Sequence, residues 1–261
     1  MMRGLWDRET VALMLLAAYM PLALFWLLYG GTGALAQLGL AVLVLAVWHL
    51  VFMLARAQPP SFAAVVTALA IAMLAPEDLG VFRLVLGISF GAVIGELVFG
   101  GWGRNVVNPA TVALSFLGFG FPGSAWPGFD DPVIWAAIPA VLIGVGTGAM
   151  PAAVLAGAFT VGAGVFATGV TLDDSVLPVA GVVLVLLVAD PVTSASTTLG
   201  RWLNGMLYGG LVLMFATGWN GAAPVQIAVA AALLTSLATP LLDEMAVSIW
   251  IAQRRRRHGR N

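Results

Sequence analysis

The chain has 261 residues, of which 61% are hydrophobic and only 9% charged, and its formal net charge is −1. A water-soluble chain of this length has too much surface for so few charges, and the near-zero net charge suggests no nucleic-acid partner. Cysteine is absent, which excludes disulfides, thiolate-bound zinc, Cys-ligated iron–sulfur clusters and a thiol nucleophile within this sequence. His49 and His258 are the only histidines, so this chain alone cannot supply a bis-histidine haem site in a membrane.

A bilayer core takes about 20 apolar residues per helix. Mean hydropathy is +1.02, and the apolar runs predict spans near 11–29, 34–55, 61–76, 80–99, 109–121, 132–147, 150–170, 175–189, 202–217 and 223–251. The first run, from Val11, is long enough to span and reads as a retained segment rather than a cleavable signal. The expected fold is an all-α integral membrane protein of about ten transmembrane helices, in two related halves with interrupted helices. It forms a single transmembrane domain over 1–261, with a first half of about 1–130 and a second of about 131–261.

The charges test this count independently. With ten spans the termini share a side, and Arg3, Arg8, Arg56, Arg104, Arg201, Arg254–Arg257 and Arg260 all fall there, ten of the eleven arginines. Glu77, Asp78, Asp130, Asp131, Asp173 and Asp174 fall on the other side. Positive loops face the cytoplasm, so the expected setting is multi-pass in a bacterial inner membrane with both termini cytoplasmic. The terminal Arg run reads as a stop-transfer anchor in contact with lipid headgroups of the bilayer.

Two segments break the apolar pattern. Span 4 is followed by Gly100-Gly-Trp-Gly-Arg-Asn-Val-Val-Asn-Pro-Ala-Thr111, and span 8 by Asp190-Pro-Val-Thr-Ser-Ala-Ser-Thr-Thr-Leu-Gly-Arg201. Asn108-Pro-Ala-Thr and Asp190-Pro-Val-Thr share the order polar residue, Pro, small residue, Thr. Parallel repeats and an inverted pair both remain open on this pattern. Non-helical backbone at membrane depth survives only when it is buried in protein or lines a polar cavity. Freed amides and Asn or Thr side chains then become partners for a polar ligand, and Gly101 and Gly103 let backbone approach it. The same residues also suit tight reversals and helix caps.

At these motifs the sequence resembles the NqrB/RnfD family, which contains the NqrB subunit of the sodium-pumping NADH:quinone oxidoreductase and the RnfD subunit of the Rnf electron-transport complex. The likeness runs through Ile88–Ala110, Phe121-Pro122, Ala189–Gly205 and the tail from Thr239-Pro-Leu-Leu-Asp243 to Arg254–Arg257. It implies a membrane electron-transfer subunit working with other membrane subunits of a redox complex. It also implies two flavins: an FMN esterified to an outer-side Thr, and a non-covalent riboflavin nearer the cytoplasm. The FMN Thr belongs to an outer loop that here has shrunk to about Gly123–Asp131 with no Thr in it. The chain reads as a shortened member without the covalent FMN, Ser124 being the nearest echo of the attachment site. For the riboflavin the resemblance assigns Asn105 and Asn108 to the isoalloxazine edge, with Gly101, Gly103 and Thr111 beside them. Asp190, Thr193 and Ser194 are the candidate partners from the second motif.

Glu96 lies within span 4, where a lone carboxylate is costly and suggests function. It reads as a proton relay or a balance for flavin charge, and equally as a partner of Arg104 or a residue near the interface. Arg83 is expected to snorkel or meet Glu77 or Asp78, His49 to be a hydrogen-bonded packing residue, and most tryptophans to mark span ends. No catalytic set, P-loop or metal-ligand cluster is present. Two further readings compete with electron transfer: a channel or transporter for a small polar solute, and a structural subunit that keeps the family fold.

Overall fold

The computed structural model describes residues 7–57 and 61–258, with side chains through Arg254. Arg3, Arg260 and the side chains of Arg255–Arg257 and His258 fall outside that description. Every regular element among the described residues is helical, as expected for a multi-pass membrane protein. In chain order they are α1 (Arg8–Arg56), α2 (Ala63–Leu74), α3 (Gly80–Gly95), α4 (Pro109–Gly120), α5 (Asp131–Trp135), α6 (Ala137–Thr147), α7 (Ala152–Thr168), α8 (Val176–Val183), α9 (Thr198–Gly218) and α10 (Pro224–His258). A 3₁₀ turn, Leu97–Phe99, follows α3, and a π-helical stretch, Leu184–Val188, extends α8. By length and composition Arg8–Arg56, Gly80–Phe99 and Pro224–Arg254 are able to cross a membrane.

Helix α1 is two spans rather than one. Drawn straight, the 41 residues from Arg8 to His49 would cover about 62 Å. Yet Arg8 Nη1 donates to the Trp102 carbonyl at 2.8 Å, and His49 Nε2 lies 3.7 Å from Glu96 Oε1, which accepts from Trp102 N–H at 3.1 Å. Both ends of α1 therefore meet one short segment, and the helix folds back between them. The reversal falls at Gly31, whose φ of 56° and ψ of −139° leave the helical region. Each arm is then about 35 Å long, enough for a bilayer core. The predicted break at 30–33 is thus a helical hairpin, and ten spans correspond in order to the observed elements.

α2 is only about 18 Å long but is enclosed almost entirely, from Thr67 through Leu74 on every face. A helix apolar all round belongs in the interior, and α2 lies there against α1 and α4. Close packing elsewhere depends on glycine. A side chain on Gly157 would strike the Trp202 carbonyl, and one on Gly205 the Val154 carbonyl, so α7 and α9 touch backbone to backbone as helices in membranes do.

The bundle has two chemically distinct ends. Arg8, the Trp102 turn and Asp190 lie at one. At the other, Glu77 N–H donates to the Ala125 carbonyl and Ala125 N–H to Asp78. The 16 residues of α3 separate the ends by about 24 Å.

Candidate functional site

The two interrupted segments meet. Pro109 fixes φ at the first position of α4, and Asn108 caps that helix by accepting from Ala110 N–H at 2.9 Å. The other end of the same amide donates to Asp190 Oδ2 at 3.1 Å, across 82 residues of chain. Asp190 closes its own turn by accepting from Val192 N–H at 2.9 Å and from the Thr193 hydroxyl at 3.2 Å. Asn108, Asp190 and Thr193 are all buried. Paired polar groups of this kind are the condition under which irregular backbone persists at depth. α4 and α9 both leave this junction for the opposite end, where Trp126 and Trp219 line one cavity of about 110 Å³.

The turn before Asn108 is built on backbone that only glycine adopts easily: Gly101 has φ 91° and Gly103 φ 94°. Asn105 stabilises it from within, accepting from Gly103 N–H at 3.0 Å and donating to the Val107 carbonyl at 3.3 Å. Glu96, fully enclosed, ends α3 with non-helical dihedrals and holds Trp102. Arg104, one of the alternatives read for Glu96, is exposed and makes no ion pair with it. The positions beside Glu96 are taken by Trp102 N–H and His49. His49 Nε2 has no hydrogen-bond partner, so its expected packing bond at that atom is not made. Arg83 lies over the Phe121 ring at 5.1 Å rather than meeting Glu77 or Asp78. Trp102, one of the expected interface tryptophans, is 5% exposed.

A flavin ring does not fit inside this chain at Asn108. The space enclosed by Tyr19, Thr67, Trp102, Asn108 and Asp190 is about 10 Å³, the room of one water. Both ends of the Asn105 and Asn108 amides are engaged within the chain, as is the Thr193 hydroxyl. Among the proposed ligands Thr111 Oγ1 and Ser194 Oγ lack a partner. The turn is open on its outer face, where Gly103, Arg104 and Val106 are exposed and no atom stands within 4 Å of a side chain added at Gly101. Ser124 sits in the short loop at the opposite end, its N–H bonded to the Phe121 carbonyl at 3.1 Å.

Asp243, on α10, had no assigned role. Its carboxylate accepts from the backbone N–H and hydroxyl of both Ser196 and Thr197, at 2.6 to 2.9 Å. It clamps the second motif just before Thr197 caps α9 through Gly200 N–H at 3.0 Å. One helical turn away from this clamp, Asn204 donates to the Thr239 hydroxyl at 2.7 Å. The run of hydroxyls from Thr193 to Thr198 was the available signal, because so many donors need a buried or half-buried acceptor.

The family model described as "NQR2, RnfD, RnfE family" matches residues 5–142. Among known proteins, the NqrB subunit of the Na(+)-translocating NADH-quinone reductase of Stutzerimonas stutzeri (strain A1501) is 25% identical over 264 residues, covering 79% of this chain and 65% of that protein. Its namesake from Yersinia pestis is 40% identical over 75 residues, 29% of this chain and 18% of the relative. The one from Klebsiella pneumoniae (strain 342) is 33% identical over 115 residues, 43% and 27%. The chain spans less than two thirds of the length of these relatives. With a family match over more than half of its residues, the chain belongs to the NQR2, RnfD, RnfE family.

Proposed function

We propose that this chain is a membrane electron-transfer subunit of an Nqr- or Rnf-like complex, with a non-covalent flavin such as riboflavin lying against the outer face of the Gly101–Val106 turn. A flavin there would supply one-electron chemistry; the chain's own contribution is to present an open, glycine-shaped backbone face anchored from behind. The observation that carries this reading is the Asn108–Asp190 bond, which ties the two family motifs into one rigid platform beneath that face. The exposed side of the turn leaves room for a neighbouring membrane subunit to complete the pocket. We place the arginine-bearing end in the cytoplasm of a bacterial inner membrane. In a native chain free of cysteine, single cysteines at Asp131 and Asp174 then react with an impermeant reagent from outside, and one at Ala57 only after permeabilisation. Labelling of Ala57 from outside reverses the orientation.

The structural-subunit reading has an observation of its own, because the motif side chains are largely satisfied among themselves. An absorption spectrum of the protein purified gently with its partners separates the two. Flavin bands near equimolar with protein, released on denaturation, support the electron carrier. A colourless preparation leaves a subunit that keeps the fold for assembly.

A further inference from the structure

We propose that Glu96 and His49 form a binding site for a single exchangeable proton, which the two side chains hold between them at the arginine-bearing end of the bundle. The pair stands on geometry. Glu96 is 0% exposed and His49 9%, and Glu96 Oε1 lies 3.7 Å from His49 Nε2. Oε1 is tied to Trp102 N–H, while Glu96 Oε2 and His49 Nε2 are both buried without a partner. Buried polar atoms left without a partner on two neighbouring side chains are unusual in a folded protein.

Charge counting shows why one proton is the favoured number. With none the pair carries −1, with two it carries +1, and with one it is neutral. A net charge in a low-dielectric interior costs far more than a neutral pair. The proton rests on the carboxyl with a neutral imidazole, or on the imidazole with a carboxylate. Moving it breaks an O–H bond and forms an N–H bond, and nothing else changes. The 3.7 Å between Oε1 and Nε2 is too long for a hydrogen bond, so transfer needs a small side-chain movement that brings a carboxylate oxygen within hydrogen-bond distance of Nε2.

The surroundings do not already neutralise the pair. α1 brings Arg8 and Glu9, which lie 3.7 Å from each other, and the second motif brings Asp190, whose carboxylate is occupied by Asn108, Val192 and Thr193. α2 and α4, packed against this region, contain no titratable residue. Arg8, about one third exposed, is bonded to the carbonyl of Trp102, whose N–H holds Glu96. This site stands whether or not a flavin is bound.

The chain has two histidines, which makes the test direct. Ring-¹⁵N histidine resonances are followed against pH in lipid-reconstituted protein, and the carboxylic C=O band of Glu96 is followed by infrared difference spectroscopy. In Glu96→Gln, which keeps an acceptor for Trp102, the proton affinity of the His49 ring falls about tenfold or more, as for strongly coupled sites. The His258 resonance does not move. In His49→Gln the Glu96 band titrates at a different midpoint from the parent protein. The second variant reads the same coupling should the first fail to fold. If each group keeps its midpoint when the other is replaced, the two do not share a proton and the proposal is overturned.

Discussion

At one end of the bundle Glu96, Asp190 and Asp243 are enclosed or half-enclosed, and each organises a turn by accepting hydrogen bonds from it. At the other end Glu77, Asp78, Asp130 and Asp173 stand exposed in short loops, and Asp131 is exposed at the start of α5. The residue types are the same, and the environment decides what they do. A carboxylate in water gains little from one more donor. A carboxylate among apolar helices has lost its water and must be held by several. The enclosed acids therefore fix the fold of the two family motifs, whereas the exposed acids shape loops and set the charge difference between the ends.

Within the enclosed set the two motifs use different means. The first bends through glycine dihedrals at Gly101 and Gly103, with Glu96 holding Trp102. The second has no glycine before Gly200 and depends on side chains, Asp190 from within and Asp243 from α10. The largest effect should follow from breaking the acid that serves both. Asp190→Ala leaves Asn108 Nδ2, Val192 N–H and Thr193 Oγ1 unpaired in a buried place, a loss of about 3–5 kcal/mol. We expect a large drop in midpoint on thermal unfolding of the detergent-solubilised protein, with partial recovery in Asp190→Asn. An unchanged midpoint would show that the junction is not what holds the motifs.

Next comes Asn108→Leu, which removes the cap of α4 and the bridge to Asp190 together. Each is worth about 1–2 kcal/mol, and any flavin on the turn should be released along with the lost stability. A double substitution with Asp190→Ala tests the link. Removing both partners should cost clearly less than the sum of the single effects. If the losses add in full, Asn108 and Asp190 act independently despite their contact.

Asp243→Ala should cost about 1–2 kcal/mol, because the exposed Ser196 and half-buried Thr197 donors regain some water. Its signature is local: faster hydrogen exchange over the second motif and the first turn of α9, with the glycine turn of the first motif undisturbed. Gly101→Ala gives the converse. The side chain meets no atom, so the cost is that of a positive φ, about 1–2 kcal/mol, and the faster exchange appears in the first motif alone.

These residues also mark what the sequence could and could not show. The ten spans and the asymmetry of charge are local properties, readable because bilayer thickness and hydropathy act on each segment separately. The cap at Asn108 is local too, since Asn-Pro before an apolar run leaves few alternatives. The contacts that build the site are not local. Asp243 meets Ser196 across 47 residues, and Asn108 meets Asp190 across 82. No periodicity encodes either. Arg104, eight residues on, was one partner the sequence offered for Glu96, because proximity in sequence is the only guide available before the hairpin of α1 is known. That hairpin returns His49 to the level of Arg8, His49 lying beside Glu96 and Arg8 on the Trp102 carbonyl. A break after Tyr29 was visible, but the tight reversal at Gly31 depends on dihedrals that a run of Gly and Thr permits without requiring.

The smallest effect belongs to the exposed end, and it sharpens the contrast by its sign as well as its size. Asp173 accepts from the hydroxyl and backbone N–H of Ser175, and these donors, the hydroxyl first, hold its carboxyl below the usual carboxylate range. A lowered folded value means that the turn's contribution is complete above the unfolded value and is lost as pH falls through the folded one. The order of residues 172–176 should thus be constant near neutral pH and decline only in acid. In Ser175→Ala the loop keeps the backbone donor but loses the hydroxyl, so the decline moves toward the ordinary carboxylate range. Hydrogen exchange at Ser175 and Val176 reads the change, while the global unfolding midpoint stays where it was, because the carboxylate is already in water in both states. A fall in that midpoint as large as for Asp243→Ala would mean that the exposed acids carry the same structural duty as the enclosed ones, and the distinction between the two ends would not hold.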